Sequence, residues 1–107
     1  MPYLGFAGNE AMLVDMYRIS GPETRSDSEI VELLRKVQLN FKGSTGCLGQ
    51  RLLRDLEDRG SFIAVSYWRD RESLTKTKEI HAKIDTVLCD IRAKTTANAY
   101  ELIQELQ

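Results

Sequence analysis

The chain has 107 residues, 42% hydrophobic and 29% charged, enough for one modest buried core, so residues 1–107 read as a single domain. Fifteen basic against 16 acidic residues leave a net charge of −1. The signs are interleaved, as in Arg69-Asp70-Arg71-Glu72, which argues against nucleic acid or an anionic membrane as partner.

Residues 1–10, "MPYLGFAGNE", form an N-terminal arm without the basic start and long apolar stretch of a secretory signal. No apolar run is long enough to span a bilayer, and a cytoplasmic location is expected. "AMLVDMYRI", residues 11–19, alternates as a strand, with Met12, Val14 and Met16 on one face and Leu13, Tyr17 and Ile19 on the other. "SGPETR" breaks it.

"SDSEIVELLRKVQLNFKG" is a helix. Ser26 and Glu29 have the spacing of a capping box. Ile30, Leu33, Leu34, Val37 and Phe41 recur at helical spacing, Gly43 can stop the helix, and Leu39 points away from the stripe. "GCLGQRLLRDLE" and "SFIAVSYW" flank "DRG" as a hairpin. "DRESLTKTKEIHAKIDTVLCDIRAK" is a second helix with Asp70 as N-cap. Its apolar stripe is Leu74, Thr77, Ile80, Ile84, Val87, Leu88 and Ile91, with Lys76, Glu79, Lys83 and Asp90 opposite. "TANAYELIQEL" closes the chain as a strand, with helix as the alternative.

The order βαββαβ implies an α+β ferredoxin-like split β-α-β fold, an antiparallel sheet with both helices on one face. The third strand is apolar at both parities: Phe62, Ala64 and Trp68 on one, Ile63, Val65 and Tyr67 on the other. Helices cover one face only, so the other needs a second cover, and a homodimer packed sheet to sheet is expected.

Two single-copy residues stand out. Trp68 ends the third strand, either as a core aromatic or as the wall of a ligand pocket. His81 lies at the edge of the second helix's stripe and is the side chain that exchanges protons near neutral pH without a large shift. Tyr67 points opposite to Trp68, toward the partner, and Tyr17 is grouped with it. Arg18 is a candidate cation, and Asn40 and Asn98 are the available amides. Cys47 and Cys89 read as reduced small fillers. With one histidine and two scattered cysteines, no common zinc spacing exists, and no metal is expected.

The segment "GCLGQRLLRDLEDRGSFIAVSYWRDRESL" resembles the antibiotic biosynthesis monooxygenase family of small dimeric α+β barrel proteins. It has a Gly-Cys-Leu entry to the second strand, an acidic hairpin turn and an apolar strand ending in Tyr-Trp-Arg-Asp. The resemblance extends over residues 11–105. It implies a pocket between sheet and helices. Some members oxygenate polycyclic aromatic substrates without metal or flavin, others open the haem ring, and many have no assigned reaction.

The family's strand-end Trp carries over onto Trp68. Its histidine, where present, falls at Thr77 or Lys78, and His81 lies about one helical turn further on. Family asparagines in the first strand and shortly before the Trp are replaced here by "VDMYRI" and by Ala64.

The resemblance therefore implies a cofactor-independent monooxygenase acting on a small aromatic or quinol-type ligand. Trp68 would stack on the substrate, His81 accept or relay a proton, and Asn40 steady an oxyanion. The alternatives are a non-catalytic dimeric ligand-binding or assembly protein, and a haem-binding or haem-degrading relative with His81 as axial ligand.

Overall fold

The computed structural model describes residues 12–20, 27–89 and 94–104. The N-terminal arm, the Ser26 cap and the last turn of the second helix, with Asp90 and Ile91, lie outside the described residues.

The elements run β1 (Met12–Ser20), α1 (Asp27–Asn40), β2 (Cys47–Arg54), β3 (Phe62–Trp68), α2 (Arg71–Leu74), α3 (Thr77–Leu88) and β4 (Lys94–Leu102). The sheet has the order β2-β3-β1-β4 with every neighbouring pair antiparallel. This is the ferredoxin-like arrangement that the order of elements implied, and the closing segment is a strand.

The second helix differs from its sequence reading, because it is two helices. Asp70 caps α2 as expected, accepting from the Ser73 backbone N–H at 2.7 Å. The chain then tightens: Thr75, Lys76, Lys78 and Glu79 each donate to the carbonyl three residues back. Thr75 Oγ1 donates to the Glu72 carbonyl at 2.6 Å and Thr77 Oγ1 to the Leu74 carbonyl at 2.8 Å. Hydroxyls that compete for helix carbonyls interrupt a helix in this way. The break matters because it sets the angle at which α3 lies over the sheet.

Strand parity sorts the side chains. Leu13, Tyr17 and Ile19 of β1 and Phe62, Ala64 and Trp68 of β3 face the helices. There they meet Ile30, Leu34, Val37 and Phe41 of α1 and Ile80, Ile84 and Leu88 of α3 in one buried cluster. Tyr17 thus turns to the helices and not to a partner, because it shares parity with Leu13 and Ile19. The other face carries Val14, Met16, Val65 and Tyr67 on the two central strands, with the Arg51 guanidinium 5.7 Å from the Tyr67 ring centroid. Arg18 lies on that face too. Its guanidinium is bonded to Asp55 at 2.7 Å, a contact that holds the Asp55 carboxyl down at about 2. It is therefore committed to the β2–β3 turn. Leu39 is 53% exposed, as its place on the helical wheel implied.

Two glycines link α1 to β2 in the left-handed region, both with φ +83. A Cβ at Gly43 would meet open space, whereas one at Gly46 would overlap the Ser73 side chain of α2. Gly43→Ala should therefore cost about 1–2 kcal/mol, the backbone penalty alone. Gly46→Ala should cost distinctly more, since Ser73 must also move. Urea unfolding of both variants checks this, and equal losses would contradict the close approach of α2 to the loop.

Candidate functional site

The helix-facing side of the sheet is apolar except in its middle. In β1 the inward series is Leu13, Asp15, Tyr17, Ile19, and in β3 it is Phe62, Ala64, Ser66, Trp68. The β1–β3 register sets Asp15 directly opposite Ser66, so both side chains leave the sheet on the same face. Asp15 is 4% exposed and Ser66 is 5% exposed. A carboxylate at such depth needs partners.

His81 supplies one. Its Nε2 lies 2.7 Å from Asp15 Oδ2. A carboxylate only accepts hydrogen bonds, so Nε2 carries the hydrogen. The ring also stacks on Tyr17, with centroids 4.0 Å apart and planes 8° from parallel. Tyr17 in turn donates its hydroxyl to Asp85 Oδ1 at 2.6 Å. His81 and Asp85 are four residues apart on α3 and share one flank of it. One turn of helix therefore fixes the imidazole both at its edge and over its face.

Trp68 supplies the partner of Ser66, its indole Nε1–H donating to Ser66 Oγ at 2.8 Å. The two single-copy residues thus meet around the same place without touching: His81 stands behind Asp15, and Trp68 stands behind Ser66.

Between these groups lies a void of about 10 Å³, lined by Asp15, Tyr17, Ala64, Ser66 and Ile80, with Gln38 and Gln50 closing it on one side. It has room for about one water molecule. The same two glutamines also line an outer groove of about 420 Å³ between the end of α1 and the start of β2. One hydrogen bond joins them, Gln50 Nε2 donating to the Gln38 carbonyl at 2.8 Å, and Gln38 Nε2 ties α1 to β2 by donating to the Arg51 carbonyl at 2.8 Å.

Asn40 is not brought to this group. It is exposed in the last turn of α1, on the opposite flank of the apolar stripe from Gln38 at about 100° per residue. Asn98 lies on β4 opposite Met16, on the face turned away from the helices. Cys47 is half-buried, burial pushes its thiol up, and it forms no disulfide with Cys89. Among the described residues no group of three or more His, Cys, Asp or Glu is arranged to hold a metal. A haem does not fit either. His81 Nε2 is committed to Asp15, and the adjoining void is far smaller than a porphyrin.

Sequence reasoning did not single out Asp15, Ser66, Gln38 or Gln50. A signal existed for Asp15: it interrupts an apolar parity series in a strand read as half-buried, where a charge must be matched.

The comparisons with known proteins agree with this architecture. The family model described as antibiotic biosynthesis monooxygenase matches residues 12–78. A candidate antibiotic biosynthesis monooxygenase from Nitrosomonas europaea has a similar fold at TM-score 0.73 and 15% identity, over 92% of this chain and 96% of that one. Another, from Deinococcus radiodurans, reaches TM-score 0.69 and 18% identity over 89% and 96%. SnoaB, a cofactor-independent oxygenase from Streptomyces nogalater solved as a mutant, gives TM-score 0.68 and 17% identity over 92% and 98%. No functionally curated protein matches the chain in sequence.

Burial, followed by the bond to Asp85, raises the Tyr17 phenol from its ordinary 10.0 to about 12. The neutral phenol is the form favoured by the fold. Its contribution to stability is thus complete below pH 10 and is lost as pH rises through about 12. An ultraviolet pH titration should show one tyrosine ionising two units late, and Tyr17→Phe should remove that phase. A late phase surviving in Tyr17→Phe would contradict the buried pairing.

Proposed function

The chain belongs to the antibiotic biosynthesis monooxygenase family, and we propose that it is a cofactor-independent monooxygenase of a phenolic or quinol-type aromatic substrate. The reacting hydroxyl would enter the void between Asp15 and Ser66. The observation that carries this reading is the opposite capacity of the two facing groups. Asp15 accepts from His81 at Oδ2, and as a carboxylate it has further acceptor capacity for a proton. Ser66 accepts from Trp68 and so has its own hydrogen free to aim at an oxygen in the void.

The chemistry follows from those capacities. Asp15 accepts the phenolic proton, while the His81 Nε2–H keeps the carboxylate aimed. Ser66 donates to the phenolate oxygen. The electron-rich ring gives one electron to dioxygen, and ring radical and superoxide combine to form a C–O bond. Loss of water then leaves a quinone. One atom of dioxygen stays on the ring, and the other departs as water with two substrate hydrogens. Dioxygen is the oxidant and the phenol the reductant, so no further cofactor is needed.

In this reading the proton goes to the carboxylate that borders the void, and the imidazole acts one atom behind it. Trp68 likewise acts through Ser66 and not by stacking on the ring. The void holds about one water, so a ring reaches Asp15 only when the Gln38–Gln50 contact opens. The hydrogen bond from Gln50 to the Gln38 carbonyl that holds it is worth about 1 kcal/mol, a modest cost for substrate binding to offset. The description of SnoaB as a cofactor-independent oxygenase fits the absence of any cofactor from this scheme.

The same proposal includes a homodimer joined through the sheet face on which Val14, Met16 and Tyr67 are part-exposed. An apolar surface across two adjacent central strands is the kind that a second copy covers.

Two outcomes test these statements. Oxygen uptake with a panel of hydroquinones should fall at least about 100-fold in kcat in both Asp15→Asn and His81→Gln, with a smaller loss in Trp68→Phe. Rates equal to wild type would remove the roles assigned here. A wild-type protein that binds the panel without consuming oxygen would favour the non-catalytic ligand-binding reading. In sedimentation velocity, Met16→Glu should convert a dimer to a folded monomer, and an unchanged dimer would place the interface elsewhere.

A further inference from the structure

We propose that the outer groove between α1 and β2 selects a substrate that carries a carboxylate, so that the favoured class is a hydroxylated aromatic acid. This rests on the function proposed above and adds what recognises the remote end of the substrate.

Three observations point this way. First, the groove has the volume of a ligand site, about 420 Å³, within the ordinary range for small molecules. Its floor is left open by Gly43, above which a Cβ would meet nothing within 4 Å.

Second, its charge has one sign. Arg35 and Lys42 are the charged residues of its lining, and no carboxylate lies among them. Among the described residues the Arg35 guanidinium makes a loose contact at 3.8 Å to Glu32, with both side chains more than half exposed. Two carbonyls of the last α1 turn, which would repel an anion, are already engaged: Gln38 by Phe41 and Gln50, and Leu39 by Lys42. The two cations therefore set the sign of the site: Arg35 stands on α1, and Lys42 in the turn that follows it. Leu39 and Leu48 supply the apolar surface for a ring.

Third, the inner wall of the groove is the outer wall of the reaction void, since Gln38 and Gln50 line both. A ligand with its anion at the rim has its far end against these amides, one side-chain layer from Asp15. An aromatic acid with a hydroxyl remote from its carboxylate satisfies both ends. An uncharged phenol satisfies only one.

The test is calorimetric titration of the full chain with 6-hydroxy-2-naphthoate and with 2-naphthol. The naphthoate should bind at least about tenfold more tightly, a difference of about 1.4 kcal/mol. The double variant Arg35→Gln, Lys42→Gln, at exposed positions, should lose that advantage and keep its affinity for naphthol. Raising the salt concentration should weaken naphthoate binding alone. His81→Gln should bind the naphthoate as wild type does while losing turnover, so that turnover unchanged in this variant, with the preference for the acid retained, would count against the proposed reaction and leave the groove's role standing. Equal affinity for acid and naphthol, no binding of either, or a double variant that binds the acid normally would each overturn the proposal. So would a double variant that changes the oligomeric state and leaves acid binding intact, which would give the groove to a second copy of the chain.

Discussion

The register between β1 and β3 is the constraint on which the rest depends. It sets Asp15 opposite Ser66 in the middle of an otherwise apolar sheet face. A slip of either strand by one residue would turn that strand's member of the pair to the other face and bring an apolar neighbour into its place. That register is held by large buried neighbours on the same face: Leu13 against Trp68, Tyr17 against Ala64, and Ile19 against Phe62. The polar pair is thus placed by apolar packing around it, and not by its own attraction.

Each member of the pair is then stabilised from a different direction. Trp68 lies two residues along β3 from Ser66 and donates along its own strand. His81 comes down from α3, whose approach is set by the tightened turn between Leu74 and Thr77. The imidazole is fixed three ways, by the carboxylate at its edge, by the Tyr17 ring on its face and by the α3 backbone. The Tyr17–Asp85 bond fixes the ring that fixes the imidazole. A partner group held with so few degrees of freedom is what general acid–base work requires.

The elements were legible in the sequence because they follow local periodicity. The α1 stripe from Ile30 to Phe41, the Asp70 cap, the exposure of Leu39 and the parity of Trp68 all need only neighbours a few residues away. The break at Thr75 was less legible, since Thr77 also fits the apolar stripe of an uninterrupted helix. The site was legible only in outline. Trp68 and His81 are conspicuous because each is unique in the chain. Asp15 and Ser66 acquire meaning only through a pairing between strands far apart in sequence, and Gln38 and Gln50 only through the contact of α1 with β2. Tyr17 carries an ambiguity that periodicity alone could not resolve: a tyrosine suits an interface as well as a core, and its stacking partner lies on a distant helix. Asn40 illustrates the opposite error, where the right chemical type falls on the wrong flank of its helix.

The central claim is that Asp15 and His81 act as one hydrogen-bonded unit with the hydrogen on Nε2. His81 is the single histidine of the chain, so the ring-nitrogen region of a long-range 1H–15N correlation spectrum of the untagged protein reports on it alone. With the ring neutral, the account predicts one tautomer, protonated at Nε2, with Nδ1 showing the shift of a bare nitrogen. A spectrum of the Nδ1–H tautomer, or of the two tautomers in rapid exchange, would contradict it.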